Sequence, residues 1–138
     1  MTLVLHVPGD PVAAPRPRTS RGRTYDPKSA QKIKHALLIK AQLPDDHVRW
    51  SAAVSLRVDF RMPIPKSYSK KKRAELAGKP HIFRPDTDNL LKHIKDCMTM
   101  AGVWSDDSIV SILIASKIYS TIPETIITTY TLGEGNGS

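Results

Sequence analysis

The sequence has little with which to tie itself covalently or anchor itself. Cys97 is the only cysteine in 138 residues, which excludes an intrachain disulfide and a zinc site built of cysteines. Apolar runs are short. The longest, roughly Ile109 to Ala115, falls far below the about 20 residues that span a bilayer. Met1–Pro8 has neither the basic n-region nor the apolar length of a secretory signal. No internal repeat is present. Acidic residues are also scarce: 13 against 21 lysines and arginines, for a net charge of +8 and a pI near 9.8. These shortages describe a cytoplasmic chain with no membrane segment. Its partner is a polyanion, with nucleic acid favoured over a merely soluble basic protein.

What is present suffices for one core. Hydrophobic residues make up 40% and charged residues 25%, an ordinary globular balance. The expected organisation is a single domain over 1–132 with a flexible Gly-rich tail over 133–138.

Leu3, Leu5 and Val7 alternate with other residues as a first strand, ended by Pro8–Pro11. Residues 12–25 carry Arg16, Arg18, Arg21 and Arg23 and almost nothing to bury. This predicts an extended basic arm whose guanidiniums donate to DNA phosphates, rather than a packed element. Asp26-Pro27 starts a helix by cap and first-turn proline. Ala30, Ile33, Leu37 and Ala41 form its predicted inner face, and Pro44 stops it. Trp50 fits core or interface equally.

Residues 52–61 alternate, with Val54, Leu56, Val58 and Phe60 facing inward. Ser69 caps a short helix that begins Lys70-Lys71-Lys72-Arg73 and stops at Gly78. Four basic residues in its first turns oppose the helix dipole, which favours phosphate binding over a merely solvated run. A helix from about Thr87 to Ala101 buries Leu90, Leu91, Ile94, Cys97, Met98 and Ala101. Gly102 ends it, and Val103 and Trp104 cover that end. Ile109–Tyr119 is a strand apolar on both faces, hence central. Ile126–Leu132 pairs with it as an antiparallel hairpin. The fold class is α+β, a mixed sheet of roughly four strands with helices packed on it.

Four of the thirteen acidic residues are Asp86, Asp88, Asp106 and Asp107. Clustered carboxylates in a basic chain suit a hard divalent cation. The plainer alternative is that Asp86 is a helix cap and that Asp88 pairs with Lys92 one turn on. His81 and His93 have the chemistry of a base but are read as incidental.

The pattern Asp86-x-Asp88-Asn89-Leu90-x-Lys92, a helix, then Gly102-x-Trp104-x-Asp106-Asp107 and a strand resembles the RusA family of Holliday-junction resolvases. Arg16-Pro17-Arg18 with Gly22-Arg23-Thr24-Tyr25, and Ser69-Lys70-Lys71-Lys72, resemble its phage-type branch. The resemblance implies a homodimeric Mg²⁺-dependent endonuclease, with Mn²⁺ as a possible substitute, that nicks four-way DNA junctions symmetrically. It places the metal carboxylates on Asp86, Asp88 and Asp107 and the essential lysine on Lys92, with Asp106 a rival to Asp107. A two-fold dimer suits two like strands cut alike. A Mg²⁺ nuclease of flaps or other branched DNA, and a non-catalytic basic DNA-binding protein, remain as alternatives.

Each metal site is expected to be built within one subunit, with little slack in the chain. Asp88 to Met100 rises about 18 Å, and an extended return to Asp107 covers about 23 Å. This needs Ala101–Asp106 to run back along the helix. Otherwise Asp107 serves the partner's site, and Asp96 becomes a further candidate ligand.

Overall fold

The computed structural model describes residues 1–15, 18–20, 23–25 and 29–133, with side chains over 1–15 and 30–133. The chain runs β1 (Thr2–Pro8), β2 (Arg18–Ser20), β3 (Arg23–Tyr25), α1 (Ser29–Gln42), β4 (Val54–Pro63), α2 (Lys70–Leu76) and α3 (Thr87–Ala101). A single 3-10 turn (Asp107–Ile109) then leads to β5 (Val110–Ser120) and β6 (Glu124–Thr131). The Asp26-Pro27 start of α1 and residues 134–138 of the tail lie outside the described residues.

Four strands form one mixed sheet in the order β1-β6-β4-β5. The α+β expectation holds. β4 and β5 are parallel, and β6 is antiparallel to both β1 and β4. Period-2 alternation puts Leu5, Val54, Leu56, Val58, Phe60 and Ile127 on one face, all essentially without exposure. That face is covered by α1 and α3. The other face stays open, with Val4, Arg57, Ile112, Ile114 and Tyr130 exposed.

The topology corrects two expectations. β6 does not pair with β5; it lies between β1 and β4, so the link over 121–123 passes the end of β4. β5 is an edge strand, not a central one, and Ile112, Leu113 and Ile114 are 45–51% exposed. An apolar run is compatible with either position, and only the long-range pairing decides.

The inner face of α1 is also corrected. Ile33 and Leu37 are 51% and 62% exposed, and Ala30 and Ala41 face solvent with them. His35, Ala36 and Ile39 are buried instead. Packing against α3 and β1 selects this face because it sets small Ala36 and branched Ile39 on the core.

α3 is as expected. Its inward face is buried over Leu90, Leu91, Ile94, Cys97, Met98 and Ala101, with His93 added. Gly102 at φ 85° ends it, its N–H donating to the Met98 and Thr99 carbonyls. Val103 and Trp104 are fully buried behind it. The Trp104 indole donates to Thr99 Oγ1 at 2.7 Å, and the Trp50 N–H donates to the Val103 carbonyl at 3.0 Å. Trp50 is core.

Gly102→Ala places a side chain at a left-handed φ, although the added Cβ would meet nothing nearer than Arg49 Nε at 3.5 Å. The expected loss is therefore backbone strain alone, about 1–2 kcal/mol. Chemical denaturation should show a lower midpoint at unchanged slope. An unchanged midpoint would mean that the helix end tolerates another cap.

Candidate active site

α3 sets the first two carboxylates. Asp86 is its N-cap residue but makes no side-chain cap hydrogen bond. Asp88 lies in the first turn, where the helix dipole favours negative charge. Both residues are exposed. The expected Asp88–Lys92 pair does not form. Lys92 turns the other way, its Nζ 4.0 Å from Asp96 Oδ2, and Lys32 lies 3.5 Å from the same oxygen. Among the described residues Asp88 has no ion pair. The surface-pair half of the plainer explanation therefore loses its support, while Asp86 keeps the N-cap position through its backbone carbonyl, which accepts from the Leu90 N–H at 3.2 Å.

The approach to Asp86 is held from β5. Lys117 Nζ donates to the Phe83 carbonyl at 2.5 Å and to the Pro85 carbonyl at 2.8 Å. The Arg84–Pro85 peptide is cis. Lys117 is not a candidate from sequence, because its partners are more than 30 residues away and no local pattern links them. The His81 N–H donates to the Lys117 carbonyl at 2.9 Å. Burial, and then Lys117, lower the pKa of His81 from its ordinary value.

The basic arm departs from the same place. Ala14 is buried, and its N–H donates to the Asn89 carbonyl at 2.9 Å, beside Asp88. Beyond it, Arg18 and Arg23 lie on β2 and β3, which pair as a separate two-stranded antiparallel ribbon. The expected extended arm is thus a short hairpin. Arg16 and Arg21 lie outside the described residues.

The second pair of aspartates sits at the other end of α3. Asp106 caps the 3-10 turn, its Oδ2 accepting from the Ser108 N–H at 3.3 Å. Hydrogen bonds from the Ser108 hydroxyl and N–H hold the Asp106 carboxyl below its ordinary pKa. Asp107 Oδ2 lies 3.7 Å from Lys95 Nζ. Asp96, Asp106 and Asp107 line a shallow cleft of about 330 Å³ with Lys32, Thr99 and Met100.

The two ends do not meet. Among the described residues, no three of Asp86, Asp88, Asp96, Asp106 and Asp107 bring carboxylate oxygens together. The return from Gly102 reaches only the last turns of α3, and Lys95 alone is about 10 Å along the axis from Asp88. The return from Gly102 brings Asp107 back to the Lys95 side chain. Val103 and Trp104 are buried against the end of α3, the Val103 N–H donating to the Met98 carbonyl and the Trp104 indole to Thr99 Oγ1.

α2 carries the remaining basic candidates. Ser69 Oγ accepts from the Lys72 N–H at 3.2 Å, the expected cap. Lys70 and Lys71 are exposed, and Lys72 Nζ stands 3.8 Å over the Tyr68 ring. Arg73 folds back, donating to the Ile64 and Pro65 carbonyls at 3.0 and 2.8 Å. Its guanidinium braces the end of β4. His93 is fully buried and so out of reach of any substrate.

Residues 8–130 match the family model of the endodeoxyribonuclease RusA. Over 123 residues the chain is 34% identical to the uncharacterized protein YqaN of Bacillus subtilis (strain 168), covering 83% of this chain and 86% of that one. The family match takes in the arm, the α3 aspartates, β4, β5 and nearly all of β6. By these similarities and the fold that carries them, the chain belongs to the RusA family of endodeoxyribonucleases, which act on Holliday junctions.

Proposed function

We propose that this chain is a Mg²⁺-dependent resolvase that cuts four-way DNA junctions by paired symmetric nicks as a homodimer. The observation that carries the reading is Asp88. It is exposed, has no ion pair among the described residues, and lies two residues from Asp86 and next to Asn89, whose carbonyl holds the root of the basic arm. A carboxylate left so in a chain of net charge +8 is available to a cation.

The donor set fits a hard divalent ion. Asp86, Asp88 and Asp107 offer oxygens only, which suit Mg²⁺ or Mn²⁺. Such an ion, when bound, supplies charge neutralisation at phosphate and activation of water. Lys92, with its side chain 66% exposed, can reach a phosphate as a point charge. The arm and Lys70, Lys71 and Lys72 hold backbone further out and give affinity without base readout. Lys117 keeps the chain entering Asp86 in place.

Separation of the carboxylates supports a shared site. The β5 edge from Val110 to Ser116 has no strand partner among the described residues, because Lys79–His81 bridge only Lys117–Tyr119. An open edge with three exposed aliphatic side chains invites a second strand, and antiparallel pairing of β5 with itself obeys two-fold symmetry. Centred near Leu113, such pairing directs Asp107 of the partner subunit toward Lys117, whose Nζ holds Phe83 and Pro85 just before Asp86. One subunit then supplies Asp86, Asp88 and Lys92, and its partner supplies Asp107.

Three outcomes test this reading. In Mg²⁺, Asp88→Asn should lower cleavage of a synthetic four-way junction by at least about a thousandfold, the several kcal/mol that metal charge contributes. Junction binding should persist; near wild-type nicking would remove Asp88 from the site. Duplex and flap substrates run alongside separate junction specificity from a general branched-DNA nuclease.

Neutralising Arg16, Arg18, Arg21 and Arg23 should reduce the slope of log K against log salt by roughly 0.9 for each phosphate that the arm no longer neutralises. A slope equal to wild type would show that the arm does not touch backbone.

Mixing Asp88→Asn subunits with Asp107→Asn subunits should restore nicking of one strand, because one shared site in the mixed dimer gathers both wild-type residues. If each pure variant is dead and the mixture is dead as well, the site is not shared.

A further inference from the structure

Outside the carboxylates, one cluster of ligand-type side chains is unexplained by the nuclease chemistry. His35 on α1 meets His93 and Cys97 on α3. His35 Nδ1 lies 2.9 Å from His93 Nε2, and Cys97 Sγ lies 3.5 Å from the same nitrogen. All three residues are buried, and their donor atoms lie within 4.8 Å of one another. His93 and Cys97 are four residues apart on one helix face, which aims both side chains at one point.

We propose that His35, His93 and Cys97 form a binding site for a borderline-soft transition-metal ion, Zn²⁺ foremost, that clamps α1 to α3. Ideal tetrahedral ligation at usual Zn–N and Zn–S lengths separates two nitrogens by about 3.3 Å and a nitrogen from a sulfur by about 3.5 Å. Cys97 Sγ is already at that spacing from His93 Nε2, the two imidazoles need to part by about 0.4 Å, and His35 Nδ1 and Cys97 Sγ lie within 4.8 Å of each other. The Lys32 carbonyl oxygen, 3.6 Å from Cys97 Sγ, lies near enough to complete a fourth position, as would a water.

His93 Nε2 stands between His35 Nδ1 and Cys97 Sγ, while the Cys97 thiol donates to the Lys32 carbonyl. A cation serves all three donors together. Burial, and then Lys34, lower the pKa of His35, so its imidazole is kept in the neutral, ligating form. Burial also pushes the Cys97 thiol up to about 12. The thiol therefore stays protonated and inert without metal, and binding must release that proton. Nitrogen and sulfur donors do not suit Mg²⁺, so this site is chemically distinct from the carboxylates. A chain with one cysteine has no thiolate-only zinc site; the two imidazoles supply what one sulfur lacks.

Because Cys97 is the only cysteine, any thiolate-to-metal charge-transfer band reports on this site alone. Full-length protein stripped with chelator and titrated with Co²⁺ should show that near-ultraviolet band saturating at one ion per chain, undiminished by a large excess of Mg²⁺. Zn²⁺ should displace the Co²⁺ spectrum. At a hundredfold excess over its Kd, Zn²⁺ should raise the thermal midpoint by about 5–10 °C. Folded Cys97→Ser should lose both effects, and His35→Gln should weaken them at least tenfold. Absence of the band in wild type at saturating Co²⁺ overturns the proposal even if no variant folds. So does its removal by Mg²⁺, or full retention in His35→Gln.

Discussion

The one-sided burial of α3 is the constraint on which the rest depends. One face must be apolar because it closes the core over β4 and β6, and Leu90, Ile94, Cys97 and Met98 are fully buried there. With 3.6 residues per turn, that choice forces Asp88, Lys92, Lys95 and Asp96 outward. The charged side is thus a consequence of the packed side. Its positions are as rigid as the core beneath them, which is what a site that holds charges in register needs.

The same regularity decides what is legible in the sequence. α3 can be read residue by residue, since it combines a strong apolar period with Gly102 beyond its end. β1 and β4 are legible from strict alternation, and α2 from Ser69 and Gly78. α1 is not. Its apolar residues fall on two faces, and the face with more of them, Ile33 and Leu37, is the exposed one. Only contact with α3 shows that His35, Ala36 and Ile39 are inside. β5 and β6 mark a different limit. Each is identifiable as a strand, but which strand neighbours which is set by pairing across the sheet, and nothing in Ile112-Leu113-Ile114 tells an edge from a centre.

The candidate site divides along the same line. Residue types single out Asp86, Asp88, Asp106 and Asp107, and it is the resemblance to the RusA family that selects Asp86, Asp88 and Asp107 among them and adds Lys92. What spacing does not supply is where Ala101–Asp106 goes. The return brings Asp107 back to the Lys95 side chain, while Val103 and Trp104 bury themselves against the end of α3, because apolar side chains gain by leaving water. Lys117 and Ala14 are invisible in the sequence for a related reason. Each reaches the site through hydrogen bonds to backbone carbonyls in distant parts of the chain.

Separating carboxylates from cations also has an electrostatic logic. Aspartates at the point of cleavage repel a phosphate, so they cannot themselves hold the substrate. Attraction must come from charge placed around them. Here the ribbon that carries Arg18 and Arg23 starts beside Asn89, and Lys70, Lys71 and Lys72 sit on a separate small helix. At physiological salt, interactions between exposed charges fade over about 8 Å. Under the proposed function the basic elements would have to follow the DNA backbone at contact distance rather than steer it from afar, and they lie on a ribbon and a helix outside the four-stranded sheet.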